Sequence, residues 1–204
     1  HPPRASLGYL AISGLYLLEK SGLLGYSVEE SLLRTVAHLK SWRDSFSKMG
    51  AGNRTLEVAQ TIYQSIPVIY GEADGTGAVA LRWRGQLAEN GKMISFHHTL
   101  PEMNHNEIVG FQNNPELLKQ LGVIWLIDSN HHERTAKRQK LTRDILGRSV
   151  QYQLEIASEG NSLFERLFYL IYFGDWISFW VAMLQKTDPS PVEQIDRLKR
   201  ALSE

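Results

Sequence analysis

Arg82, Gln86 and Glu89 form a polar row at i, i+4, i+7, on a stretch whose opposite face carries Val79, Trp83 and Leu87. Hydrogen-bond donors leading to a carboxylate suit general-base chemistry, with Glu89 taking a proton and its neighbours fixing its position. The same spacing describes a solvated helix face, and spacing alone leaves both readings open. Downstream, Leu100-Pro101-Glu102-Met103-Asn104-His105-Asn106-Glu107-Ile108-Val109-Gly110 is dense in side chains that hydrogen-bond, titrate or cap. Within it Glu102 reads as loop structure, and Glu107 as a helix cap or a support at a sheet end. His97-His98 and His131-His132, with Glu133 nearby, invite a metal reading. Adjacent residues do not converge on one ion from a helix face, however, and neither a His-Glu-x-x-His pattern nor a cysteine accompanies them. Neither a metal nor a cofactor is expected.

Composition narrows the chemistry further. The 204 residues carry 22 Lys+Arg against 22 Asp+Glu and no cysteine. Zero formal net charge removes the general attraction on which non-specific binding to nucleic acid or an anionic membrane depends. The lack of cysteine excludes disulfides, thiol nucleophiles, Cys-zinc sites and iron–sulfur clusters, and it fits a reducing compartment. The longest apolar stretch, Leu163 to Leu184, is interrupted by Glu165, Arg166 and Asp175, so it reads as a buried helix rather than a membrane span. Its aromatic residues read as core or dimer interface rather than a nucleic-acid stacking platform.

The elements that must position these groups are helical at first. Leu7, Leu10, Ile12, Leu15, Leu17 and Leu18 repeat at helical spacing up to Gly22 and Gly25. Ser27 with Glu30 opens a second helix as a capping box, and a third runs from about Thr55 to Gln64. Short β-rich runs then alternate with helices. Ile66 to Tyr70 precedes a glycine-rich loop, Gly71 to Gly77, and a helix from Ala78 to Glu89. Met93 to Phe96 supplies a further strand, Val123 to Ile127 precedes a charged helix, and Val150 to Ile156 is the next strand. This alternation predicts an α/β fold: a three-layer α/β/α sandwich on a parallel sheet, with flanking helices. The boundaries expected are a helical segment over 1–62, the α/β core over 63–160 and C-terminal helices packing on it over 161–204. The glycine loop lies where open parallel sheets gather ligands. It reads as a flexible turn needing positive φ or, less specifically, as a phosphate cradle. It has no Gly-Lys-Ser/Thr ending and is not a Walker loop.

The 100–110 stretch, with Tyr70-Gly71 and the run from Ala80 to Lys92, resembles the C-terminal half of the bifunctional phosphoglucose/phosphomannose isomerases, which contain two SIS (sugar isomerase) domains. Asp175-Trp176-Ile177-Ser178-Phe179-Trp180, the Asp188-Pro189-Ser190-Pro191-Val192-Glu193 segment continuing to Lys199, and Pro3-Arg4 followed by Leu7-Gly8-Tyr9 extend the resemblance along nearly the whole chain in order.

The resemblance implies aldose–ketose isomerisation of glucose 6-phosphate, and of mannose 6-phosphate, with fructose 6-phosphate through an enediolate. Glu89 matches the family's base and His105 its ring-opening histidine, contributed across a dimer interface; imidazole exchanges protons near neutral pH. Lys199 matches a lysine also assigned to ring opening; the Ile195/Leu198/Leu202 stripe beside it brings it toward the protein, and snorkelling over apolar surface gives the same pattern. Arg4 matches the arginine that stabilises the enediolate, a task for a fixed cation. Arg82, Gln86, Asn104 and Ser190, which stands where relatives often carry Thr, are the expected substrate contacts. The resemblance further implies a cytoplasmic homodimer with shared active sites, partnered with neither nucleic acid nor membrane. The family's phosphate-binding loop belongs to an N-terminal SIS domain expected ahead of His1, so this chain alone is expected to be inactive. The other reading is a non-catalytic sugar-phosphate-binding or dimerisation module.

Overall fold

The computed structural model describes residues 3–203. After a 3-10 turn at Pro3–Ala5 come α1 (Leu7–Lys20), α2 (Val28–Phe46) and α3 (Arg54–Ile62). The α/β part follows as β1 (Ile66–Glu72), α4 (Thr76–Glu89), β2 (Phe96–Leu100), 3-10 turns at Glu102–Asn104 and Glu107–Gln112, α5 (Pro115–Leu118), β3 (Leu121–Ile127), α6 (Glu133–Leu146) and β4 (Tyr152–Ala157). The long α7 (Leu163–Leu184) and the short α8 (Glu193–Leu202) complete the order.

The four strands form one parallel sheet in the order β2-β1-β3-β4. β1 and β3 are the central pair, and their near-continuous burial is what helices on both faces demand. Their side chains divide strictly by alternation. Ile69, Ile124 and Leu126 join the core formed with α3, α4 and α7. Val68, Tyr70, Val123 and Trp125 face the other way, toward Leu146 of α6, Met103 and the 107–112 turn. The three-layer α/β/α sandwich expected from the sequence is the architecture found. Gly122 sits opposite Tyr152 in the β3–β4 register, and a Cβ on it would run into the Tyr152 ring.

Local signals start several of the helices. Ser27 Oγ accepts from Glu30 N at 3.2 Å, and Ser162 Oγ from Glu165 N at 3.1 Å. Asn53, almost wholly buried, accepts from the amides of Thr55 and Leu56, while its own amide holds the Phe46 and Lys48 carbonyls. That single side chain ties the end of α2 to the start of α3. α7 is the central helix of the larger core and packs against α2, α3 and α4.

Three sequence expectations are corrected. The strand placed at 93–96 begins at Phe96 and runs to Leu100. It is an edge strand whose middle residues are half-buried, so it shows no apolar run. The glycines of the 71–77 loop are not there for positive φ. A Cβ on Gly71 would lie 2.5 Å from the Thr76 carbonyl carbon and one on Gly77 2.8 Å from the Glu72 carbonyl oxygen, so they permit a close strand–helix turn. The C-terminal helices also part company, because α8 has no buried residue and leaves Ile195, Leu198 and Leu202 exposed. Its apolar stripe therefore does not turn Lys199 into the core.

Candidate active site

The crossing of α4 and α7 builds the site. Gly174 lets the two helices meet, since a Cβ there would occupy the Trp83 indole, and Trp83 Nε1 donates to the Leu170 carbonyl at 2.8 Å. That crossing presents the Arg82/Gln86 face of α4 to Asp175 of α7. Arg82 Nη2 donates to Asp175 Oδ2 at 2.9 Å, and Gln86 Nε2 to Oδ1 at 2.7 Å. Burial pushes the Asp175 carboxyl above its ordinary value, and Arg82 and Gln86 oppose that shift without cancelling it. One turn on, Asn90 Nδ2 donates to Ser178 Oγ at 3.0 Å, and Ser178 Oγ donates to the Asp175 carbonyl at 2.7 Å.

Arg4 completes the cluster. Its Nε donates to Asn90 Oδ1 at 2.8 Å, Nη1 to Glu89 Oε2 at 3.2 Å, and Nη2 to the carbonyls of Pro189 at 3.0 Å and Ser190 at 2.6 Å. The Arg4 carbonyl in turn accepts from Arg82 Nη2 at 3.1 Å. A guanidinium has five N–H bonds. These contacts use four and leave one, on Nη1 beside the Glu89 carboxylate. The Arg4 side chain is only 9% exposed, whereas Glu89 is 37% exposed. The pair thus has a buried cation and an accessible carboxylate. Lys92 adds a second clasp, with Nζ donating to the carbonyls of Glu89, Pro189 and Pro191. Desolvation and then the Arg4 charge pull its ammonium below the ordinary value, against Asp188, Glu89 and Glu193. A cavity of about 430 Å³ opens along this face, lined by Arg4, Arg82, Gln86, Glu89, Leu167 and Ile171 among others.

Arg4, Arg82, Gln86 and Glu89 therefore come together, joined by Ser190 through its carbonyl. Arg82 and Gln86 spend donors on Asp175, so they brace the site from behind. Asn104, His105 and Lys199 lie elsewhere. α4 leads from the carboxyl end of β1 back to the start of β2, so Glu89, its last residue, lies near the amino ends of the strands. His105 follows the carboxyl end of β2 and is exposed there. One chain does not bring Glu89 and His105 together. Asn104 stands beside His105, with Nδ2 donating to Thr142 Oγ1 at 2.9 Å. Lys199 lies on the exposed α8, and no hydrogen bond or ion pair joins it to the site among the described residues.

The carboxyl end of the sheet holds a second polar group. Thr76 Oγ1 accepts from Glu72 N at 2.9 Å and donates to the Leu126 carbonyl at 3.2 Å, closing the glycine loop on itself. Glu72 meets His131 at 2.9 Å, and Glu107 accepts from Tyr70 at 2.8 Å and meets His98 at 2.6 Å. Burial would raise the Asp128 carboxyl, but hydrogen bonds from Arg166 and the Asn130 amide outweigh it and hold it below its ordinary value. A larger cavity of about 930 Å³ lies here, lined by Glu72, Asp74, Asn104, Arg134, Arg138 and Thr142 among others.

Residues 51–202 match the model of the bacterial phospho-glucose isomerase C-terminal SIS domain. The chain belongs to this SIS-domain family. A bifunctional phosphoglucose/phosphomannose isomerase from Caldicellulosiruptor bescii is 37% identical over 204 residues, covering 99% of this chain and 60% of the relative. Another, from Aquifex aeolicus, is 36% identical over 200 residues, covering 98% of this chain and 58% of the relative. The chain thus spans less than two thirds of the length of these relatives. Among solved structures, a glucose-6-phosphate isomerase like protein from Thermus thermophilus superposes with a TM-score of 0.63 at 20% identity, over 85% of this chain and 57% of that one. The C-terminal domain of glucosamine-fructose-6-phosphate aminotransferase from Francisella tularensis gives a TM-score of 0.61 at 12% identity, over 80% of this chain and 46% of that one. These two likenesses bear on the fold.

In this SIS domain, sequence reasoning assigned no role to Asn90, Lys92, Asp175 or Ser178. The one available signal was Asp175 itself, a carboxylate in the middle of an apolar helix, which must find a donor if it is buried.

Proposed function

We propose that this SIS domain carries the proton-transfer half of an aldose–ketose isomerase site, acting on glucose 6-phosphate and mannose 6-phosphate within a longer protein. The observation that carries the reading is the Glu89 carboxylate, accessible at the edge of a cavity and paired at 3.2 Å with a buried Arg4. Glu89 takes the proton from C2 of the open-chain aldose. The electron pair left behind forms the enediolate as the C1 carbonyl oxygen becomes negative, and the remaining Arg4 Nη1–H faces that developing charge. Glu89 then returns the proton to C1, and the C2 hydroxyl proton passes to the negative C1 oxygen as the C2 carbonyl of the ketose forms. His105 of a second copy opens the sugar ring, with Lys199 assisting; the separation of Glu89 and His105 within one chain supports that division of labour. Asn104 accompanies His105, and Ser190 lines the substrate side through the segment held by Arg4 and Lys92. The working unit is then a cytoplasmic homodimer with shared sites. The domain by itself is inactive, because phosphate recognition lies outside it.

The test is conversion of fructose 6-phosphate to glucose 6-phosphate by the full-length protein, wild type against Glu89→Gln. General-base catalysis typically contributes about 10²- to 10⁴-fold, so kcat should fall within that range. A variant as fast as wild type, or a wild type without conversion, overturns the reading.

A further inference from the structure

We propose that Asp175, in the middle of α7, is the positioning residue for this site, holding Arg4 against Glu89 through Arg82 while Asn90 and Ser178 steady the guanidinium. The inference rests on the isomerase reading above. Arg4 lies on a single 3-10 turn with no buried residue, and α1 behind it has none either. Neither segment contributes a residue to the apolar core, so the buried Arg4 side chain is positioned by its polar contacts. They come by two routes, both rooted in α7. On the first, Asp175 Oδ2 accepts from Arg82 Nη2, and that same nitrogen donates to the Arg4 carbonyl. On the second, the Asp175 carbonyl accepts from Ser178 Oγ, which accepts from Asn90 Nδ2, and Asn90 Oδ1 takes Arg4 Nε.

The Arg82 contacts show the direction of the design. Arg82 Nε is buried with no hydrogen-bond partner, a poor outcome for Arg82 alone. Its Nη2 is instead shared between α7 and the Arg4 backbone. Gln86 takes the other Asp175 oxygen, so both carboxylate oxygens are occupied and the side chain cannot turn away from Arg82. α7 is anchored in the larger core, and the chain of bonds carries that anchorage to Arg4.

A positioning role differs from a merely structural one in how its loss combines with loss of Arg4. The experiment measures kcat and KM for fructose 6-phosphate on full-length wild type, Asp175→Asn, Arg4→Ala and the double variant, with Glu89→Gln alongside. Asp175→Asn should lower kcat about tenfold and change KM less than about twofold, and the double variant should be within about twofold of Arg4→Ala alone. Effects that multiply in the double variant, Arg4→Ala at wild-type speed, or Asp175→Asn above half of wild-type kcat overturn the inference while leaving the Glu89 reading intact. A wild type without conversion, or Glu89→Gln at full speed, brings down both. Asn90→Ala removes the second route from a half-buried position and replaces Asp175→Asn if that variant does not fold. It should lower kcat about threefold in the wild type and have no effect in Arg4→Ala, and the opposite pattern overturns the inference.

Discussion

At the carboxyl ends of the strands, Glu72, Asp128 and Glu107 each meet a partner on a neighbouring element: His131, Arg166, and Tyr70 with His98. At the far end of α4, the Glu89 carboxylate has one partner, Arg4, and is 37% exposed, against 18% for Glu72 and 12% for Asp128, with Glu107 at 35% the exposed member of the first group. The first region uses carboxylates to hold loops; in the second, one carboxylate is paired with a cation at the mouth of a cavity, where the proposed reaction needs it. Cavity size alone would choose the first, because its pocket is about 930 Å³ against about 430 Å³ beside Glu89. The general rule that ligands bind beyond the carboxyl ends of a parallel sheet points the same way. In this SIS domain the crevice is open, but Glu72 is engaged with His131 and Glu107 with Tyr70 and His98, and Thr76 closes the loop beside them. Commitment of the polar groups, rather than volume, separates the two regions.

Removing one charge from each region should expose this difference most strongly. Arg4→Ala in the full-length protein is expected to lower kcat by about 10²- to 10³-fold, the scale of losing one preorganised charge-stabilising donor. Glu72→Gln at the other end should leave kcat within about twofold and lower the unfolding free energy by about 1 kcal/mol, as its partner loses a half-buried contact to a charged group. Steady-state kinetics with denaturant titration checks both. A large kinetic loss in Glu72→Gln would erase the distinction between the regions.

Backbone approach is next in size. Gly174→Ala pushes α4 from α7 at Trp83, beneath the Arg4 cluster, whereas Gly122→Ala displaces Tyr152 far from it. Each should cost about 1–3 kcal/mol of stability by overpacking, but only Gly174→Ala should also reduce kcat. Equal kinetic effects would show that the crossing does not set the site.

The smallest effects lie in acid stability, where the two arginine-paired aspartates have opposite signs. Asp128 is held below its ordinary 3.8 in the folded protein, so its contribution is present above that value and is lost as pH falls through the folded value. The stability difference between wild type and Asp128→Asn should shrink below pH 3.8. Asp175 is raised by burial, so the folded state takes up its proton first. As pH falls from its folded value toward 3.8, wild type should gain stability relative to Asp175→Asn. Thermal melts across the acid range would reveal matching signs if the environments have been misread.

The sheet was legible in sequence where burial is two-sided. β1 and β3 are apolar runs because helices cover both faces, and the capping box of Ser27 and Glu30 marks a helix start directly. β2 was displaced because an edge strand with half-buried His97, His98 and Thr99 has neither an apolar run nor clean alternation. α8 looks amphipathic, but periodicity shows only that a helix has an apolar face and not what that face meets. In the site, spacing put Arg82, Gln86 and Glu89 on one face correctly. It could not show that this face meets Asp175, because that contact spans more than eighty residues and depends on Gly174 admitting Trp83.

On the proposed mechanism, Glu89 acts at the α4 end with a histidine supplied by a second copy. Mixing inactive full-length Glu89→Gln with inactive full-length His105→Ala, under conditions that exchange subunits, tests it directly. If both residues serve sites shared between copies, each hybrid dimer regains one intact site, and an equal mixture should recover about a quarter of wild-type activity. Hybrid dimers that form and remain inactive would contradict the account.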